Sequence, residues 1–283
     1  VPVKIKMSNT LTRTLSGVVF LIIMTGAILL HPVIYAIVML FAVIVMTHEY
    51  LKISCNSGNE PVSLITITAS ITLFTTTFLY KWLGADSRIL LLNLPAFSLL
   101  YIVSLYAKQK EGNQPEGASL SGIVLYTALP FSLMNFLIFD GGDNYYPNIL
   151  LSMFIILWSA DVGAYVFGMT FGQKRGHKLF PSVSPKKSWE GFAGGISISV
   201  LSGAVISLCG LWKIGIAHSI IIAIIICIAG LFGDLAESLV KRKYGVKDSG
   251  SIMPGHGGLL DRFDGALIAF PLVLAYLVLF NLL

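Results

Sequence analysis

Nine stretches of about 20 mostly apolar residues follow one another along the chain, at roughly 14–30, 33–51, 62–81, 89–107, 119–139, 148–170, 190–211, 214–236 and 262–283. Each is long enough to cross the hydrocarbon core of a bilayer as a helix. Backbone in lipid must satisfy its polar groups internally, and runs of this length do so as α-helices. The pattern predicts an all-α polytopic membrane protein with about nine transmembrane helices. Only 12% of the 283 residues are charged, half of the roughly 25% usual in soluble domains. That is too little to cover a water-soluble fold of this size, and the apolar content excludes a disordered chain. Ser16–Leu30 runs into His31-Pro32 and then a second span, so it reads as a first membrane helix, with no cleaved secretory signal. Met7 is an alternative start, so residues 1–6 carry no structural weight. Cys55, Cys209 and Cys227 form no CxxC pair and read as small buried hydrophobes.

Basic residues set the expected orientation. With the N-terminus inside, 16 of the 19 Lys and Arg residues fall on the inner side, including Lys4, Lys6, Lys52, Lys108, Lys110, Lys174 and Arg175. Only Lys81, Arg88 and Lys213 fall outside. The positive-inside rule then puts the N-terminus and both long polar stretches, 173–189 and 237–261, in the cytoplasm. The net charge of +5 reads first as membrane-side anchoring and second as an anionic ligand site; no nucleic-acid partner is expected.

Ionisable groups divide the chain. Residues 1–150 hold few inside their spans, and their helices are expected to pack, contact lipid and offer a dimer contact, with Thr72, Thr75, Thr76 and Thr77 as interhelical glue. Residues 151–283 hold Asp161, Glu190, Asp234, Glu237, Asp248, Asp261 and Asp264, seven of the 14 acids. Acids in or at the ends of membrane helices are costly and mark function by default. Asp234, Glu237, Ser238, Lys241 and Arg242 share one helical face, although Glu237 with Lys241 is also an ordinary i,i+4 pair. Next, Pro254-Gly255-His256-Gly257-Gly258 lets backbone approach a ligand closely. It opens a helix near Leu259 whose free N–H groups are expected to bind phosphate. Asp261 and Asp264, at i and i+3 on that helix, are hard oxygen ligands suited to Mg²⁺. A third cluster joins Ser159-Ala160-Asp161 to Ser184-Pro185-Lys186-Lys187-Ser188-Trp189-Glu190-Gly191.

The run Ser238-Leu239-Val240-Lys241-Arg242, then Lys247-Asp248-Ser249-Gly250, then Pro254 through Asp264 resembles the signature of phosphatidate cytidylyltransferases, also called CDP-diacylglycerol synthases, at 238–264. Met253, where the family usually has Leu, Ile or Phe, is a conservative departure. Asp161 with Gly163-Ala164-Tyr165, and the Ser184–Gly191 run, also resemble the family; before residue 150 the likeness is in hydropathy and span count, apart from Leu11-Thr12-Arg13. The compact length is similar to bacterial members.

The resemblance implies transfer of CMP from CTP to phosphatidic acid, giving CDP-diacylglycerol and pyrophosphate, by a homodimeric multi-pass enzyme of the cell (inner) membrane with its active site facing the cytoplasm. Under it, Asp234 and Asp261 are expected to ligate Mg²⁺, with Asp264 also a metal ligand, and Asp264 or Asp248 serving a second cation such as K⁺. Lys241, Arg242, Lys247 and Arg262 would bind substrate phosphates. Lys186 and Lys187 would hold the triphosphate or the lipid head group. Asp161 would orient cytidine or support the metal shell, and His256 would donate a hydrogen bond to pyrophosphate. Ser238, Asp248, Gly257 and Gly258 complete the expected substrate contacts. Neither a Ser–His–Asp triad nor a catalytic Cys is expected. The competing readings are a CTP-dependent polyprenol or phytol kinase, an ether-lipid cytidylyltransferase and, more remotely, an ion-coupled transporter.

Overall fold

The structure is a computed structural model that describes residues 9–55, 60–106, 116–139, 144–172 and 177–283. Lys4, Lys6, Lys108, Lys110, Lys174 and Arg175, which enter the charge asymmetry, lie outside the described residues, as do residues 1–6.

Ten helices follow one another: α1 (Asn9–Leu30), α2 (Pro32–Ser54), α3 (Glu60–Trp82), α4 (Asn93–Tyr106), α5 (Gly117–Thr127), α6 (Leu129–Ile138), α7 (Pro147–Phe167), α8 (Trp189–Leu208), α9 (Ile216–Lys243) and α10 (Leu260–Leu279). Among the described residues they make nine segments long and apolar enough to cross a membrane, in register with the nine apolar runs. The fourth span begins with a 3₁₀ turn, Ser87–Leu92. The fifth is α5 plus α6, broken at Ala128 because Pro130 in the first turn of α6 has no N–H to continue the ladder. The expected His31-Pro32 turn is present. The His31 Nδ1 accepts from Val33 N at 3.1 Å, and Pro32 opens α2, where its missing N–H costs nothing.

The stretch 173–189, read from the sequence as a polar loop, contains a small antiparallel hairpin of β1 (Lys178–Phe180) and β2 (Ser184–Ser188). Ser188 then caps α8, its hydroxyl accepting from Gly191 N at 3.2 Å. Of the three free cysteines only Cys227 is buried; Cys209, at the C-cap of α8, is exposed, against the expectation of burial.

Rings from three helices lock the centre. Phe131 of α6 meets Phe263 of α10 at 5.0 Å, and Phe154 of α7 meets Phe270 of α10 at 4.7 Å, both edge to face. Among the first helices, polar side chains bridge as the threonine run suggested. Asn135 Nδ2 donates to Thr77 at 3.0 Å, Tyr35 donates to Asn135 at 3.2 Å, and Asn93 donates to Thr76 at 2.9 Å. Thr72 instead donates to its own helix, at Thr68 O.

Tight backbone contact positions the site. A Cβ at Gly163 would lie 2.7 Å from Gly194 O, so α7 and α8 touch through small residues. A Cβ at Gly233 would strike the Asp264 carbonyl, so α9 and α10 meet directly beside Asp234 and Asp264. Because successive spans alternate in direction, the ends of α7 and α9 and the starts of α8 and α10 collect at one end of the bundle. The start of α1 and the end of α2 join them there through Ser16 and Glu49.

Candidate functional site

A cavity of about 560 Å³ opens at that end, walled by α7, β2, α8, α9 and α10. Asp161, Lys186, Lys187, Asp234, Lys241, Asp248, His256, Asp261, Arg262 and Asp264 all line it. Ten of the expected site residues thus converge from segments up to a hundred positions apart. Arg242 and Lys247 are exposed and lie outside the lining. Ser238, Gly257 and Gly258 also lie outside it.

The charges are paired across elements. Lys187 Nζ on β2 sits 2.7 Å from Asp234 Oδ2 on α9, and Asp234 Oδ1 accepts from Ser238 at 3.2 Å. Ser238 therefore orients Asp234 within the helix. Lys241 Nζ lies 2.5 Å from both Glu237 Oε2 and Asp261 Oδ1, tying α9 to α10. Asp261 Oδ2 accepts three further bonds: from Ser249 N at 3.0 Å, Ser249 Oγ at 2.9 Å and Gly258 N at 2.8 Å. An acid with two lone-pair faces this fully engaged holds one orientation.

The amides expected from the sequence to meet a phosphate are taken. Leu259 N and Leu260 N, the first donors of α10, point at Glu49 at 3.0 and 2.8 Å, and Gly258 N serves Asp261. A carboxylate within the protein satisfies the helix terminus better than solvent does, since it answers both the orphan donors and the dipole. Gly257 and Gly258 consequently shape the loop and do not face the cavity. Gly257 holds a φ of +86°, and a Cβ there would lie 2.5 Å from Asp261 Oδ2.

His256 packs on the first helix, with its Nδ1 2.7 Å from Ser16 Oγ. Partial burial, then the Arg262 and Arg13 charges, hold its imidazole below the ordinary value. In its neutral form at most one ring nitrogen donates.

Three carboxylates, Asp161, Asp234 and Asp264, feel one another's charge, and Glu237 adds to the field at Asp264. Glu237 is 1% exposed, and its Oε1 has no partner among the described residues. Among the described residues no three His, Cys, Asp or Glu side chains converge to cage an ion. Asp161, Asp234 and Asp264 instead bring hard carboxylate oxygens to the cavity lining from three helices. That suits a small divalent ion that keeps waters and takes its remaining ligands from substrate phosphates.

Glu49 and Ser16 are the contributors that sequence reasoning missed. Glu49 stands two residues inside the predicted end of a mostly apolar span, and the intramembrane-acid rule applied to the second half of the chain would have found it. No periodicity marks Ser16.

Over residues 11–280 the chain matches the cytidylyltransferase family, and it belongs to that family. It is similar to phosphatidate cytidylyltransferase of Bacillus subtilis, at 41% identity over 139 residues, 49% of this chain and 51% of the relative. The enzyme of the same name from Staphylococcus saprophyticus is 44% identical over 126 residues, 44% of this chain and 47% of the relative. The Staphylococcus aureus enzyme is 41% identical over 126 residues, with the same coverage. These alignments span about half the length of the curated relatives the chain matches.

Proposed function

We propose that this protein transfers CMP from CTP to phosphatidic acid, forming CDP-diacylglycerol and pyrophosphate for phospholipid synthesis, as a homodimer in the cell membrane with its cavity open to the cytoplasm. The observation that carries the reading is a cavity lined by both acids and bases at one end of a membrane-length helical bundle. One substrate stays in the bilayer and the other is a soluble polyanion, so they can meet only at an interface of that kind. The start of α1 lies at the same end, which agrees with the basic residues of an inside N-terminus.

In the reaction an oxygen of the lipid phosphate attacks the α-phosphorus of CTP. A new P–O–P bond forms, the bond to the β-phosphate oxygen breaks, and pyrophosphate leaves with the electron pair. Such a transfer needs little covalent help; positioning and charge neutralisation dominate. Lys186 and Arg262 line the cavity free of any carboxylate ion pair among the described residues and are placed to hold phosphates. Lys187 and Lys241 already neutralise Asp234 and Asp261, and exchange those partners for substrate phosphates as CTP enters. Asp234, Asp261 and Asp264 would hold Mg²⁺, and Asp264 or Asp248 would serve a second cation such as K⁺. The metal supplies neutralisation of charge on the reacting phosphates. His256 donates one hydrogen bond to the departing pyrophosphate.

The direct test gives the purified protein labelled CTP and phosphatidate in detergent with Mg²⁺. Equal amounts of CDP-diacylglycerol and pyrophosphate are expected. Release of CDP would instead mark a kinase, and solute flux in liposomes without CTP would mark a transporter; either overturns the reading. A second measurement follows from Lys186 and Lys187. Their double replacement by Ala removes two charge-assisted contacts and is expected to raise the apparent KM for CTP or lipid by about tenfold or more. Unchanged values for both substrates would remove β2 from substrate binding.

A further inference from the structure

We infer that Glu49, on the second membrane helix, is a positioning residue that aims Asp261 at the cavity. Glu49 is 5% exposed, does not line the cavity and lies more than 200 positions from the loop it touches. Burying a carboxylate is costly unless it is well hydrogen-bonded, and this one accepts from Leu259 N and Leu260 N at 3.0 and 2.8 Å and shares with Asp261 the single proton of Ser249 Oγ, 3.2 Å away. Ser249 is the hinge of the arrangement. Its hydroxyl lies between Glu49 Oε2 and Asp261 Oδ2, and its amide also donates to Asp261.

The loops are shaped to this carboxylate. A Cβ at Gly250 would strike Glu49 Oε1, and one at Gly258 would come within 2.5 Å of Glu49 Oε2 and strike Ser249 Oγ. Two loop segments, 249–250 and 258–260, are thereby clasped on one side chain from a different part of the chain. With both held, Asp261 leaves the first turn of α10 in the one orientation that meets Lys241. Glu49 never approaches substrate; its influence passes through Ser249 and the start of α10. The catalytic part of this inference rests on the cytidylyl transfer proposed above, while the clasp itself does not.

The test compares wild type with Glu49→Gln and Glu49→Asp in the full chain, purified in detergent, with two independent readouts. Gln has the same shape but must turn its NH₂ toward at least one of the three donors. Hydrogen exchange at the amides of 249 and 258–260 is expected to quicken at least tenfold in Glu49→Gln, with the remaining helices unaltered. For CDP-diacylglycerol formation, kcat is expected to fall by about 10²-fold, the size of loss that about 1 Å of misplacement causes, with KM for CTP within about threefold. Glu49→Asp, which keeps the charge, should recover part of kcat. Unchanged exchange at those amides overturns the clasp. Local exchange that quickens while kcat stays at wild type overturns the positioning role. Loss of protection across every helix, with kcat per folded molecule unchanged, also overturns it, since a merely structural carboxylate would act that way. If wild type itself makes no CDP-diacylglycerol, the proposed function fails, and the exchange measurement still decides the clasp.

Discussion

Under the proposed cytidylyl transfer, replacing Asp261 by Asn should lower CDP-diacylglycerol formation by about 10³-fold, the upper end of the loss seen when one preorganised electrostatic group is removed from an active site. The geometry explains why so small a change has no harmless orientation. Asp261 receives Lys241 on one oxygen and Ser249 N, Ser249 Oγ and Gly258 N on the other. An Asn NH₂ must face either an ammonium or three hydrogen donors. It also brings no negative charge to a metal. The measurement is the rate of labelled product per folded molecule at ordinary Mg²⁺, with thermal unfolding followed in parallel. Turnover near wild type would take Asp261 out of the proposed reaction.

The second large effect concerns stability. Lys241→Met should destabilise the fold by about 3–5 kcal/mol, the range observed when one partner of a buried ion pair is removed. Lys241 is the one ammonium between Glu237 and Asp261, whose side chains are 1% and 7% exposed. Without it two carboxylates face each other across the contact between α9 and α10, Glu237 buried and Asp261 at the cavity wall. The double variant Lys241→Met with Glu237→Gln should recover a good part of the loss, because only one buried charge then remains and three donors already hold it. Denaturant or SDS titration of the purified protein reads both variants. If Lys241→Met unfolds with wild type, the ammonium is not what joins the two helices. If the double variant is no better than the single, the loss is one of packing along the lysine stem and not of charge.

Legibility differed sharply between kinds of residue. The nine apolar runs matched nine spans because bilayer thickness imposes a length on each helix that local composition must meet. The shared face of Asp234, Ser238 and Lys241 was equally readable, since helical periodicity alone places residues four apart together. Helical spacing also showed Glu237 beside Lys241, but nothing in it showed that Asp261, twenty positions on, would take the other side of the same ammonium. The glycines near 257 were read as letting backbone approach a ligand; in the structure a Cβ at Gly257 would meet Asp261, and one at Gly258 would meet Ser249 and Glu49. Reading those amides as free followed from treating α10 with its own neighbours in sequence only.

Span number, helix faces and the chemical inventory of the site are properties of local stretches, and a bilayer makes local stretches decisive. Which acid meets which base depends on the directions of several helices packed against one another. Lys187 reaches Asp234 from a hairpin, and Glu49 reaches Leu260 from another span. Hydrogen bonds and close ion pairs form only within about 4 Å, whereas Glu49 and Leu260 are 211 positions apart along the chain. Partners therefore become definite only once glycine contacts such as Gly233 against Asp264 have brought the helix backbones together.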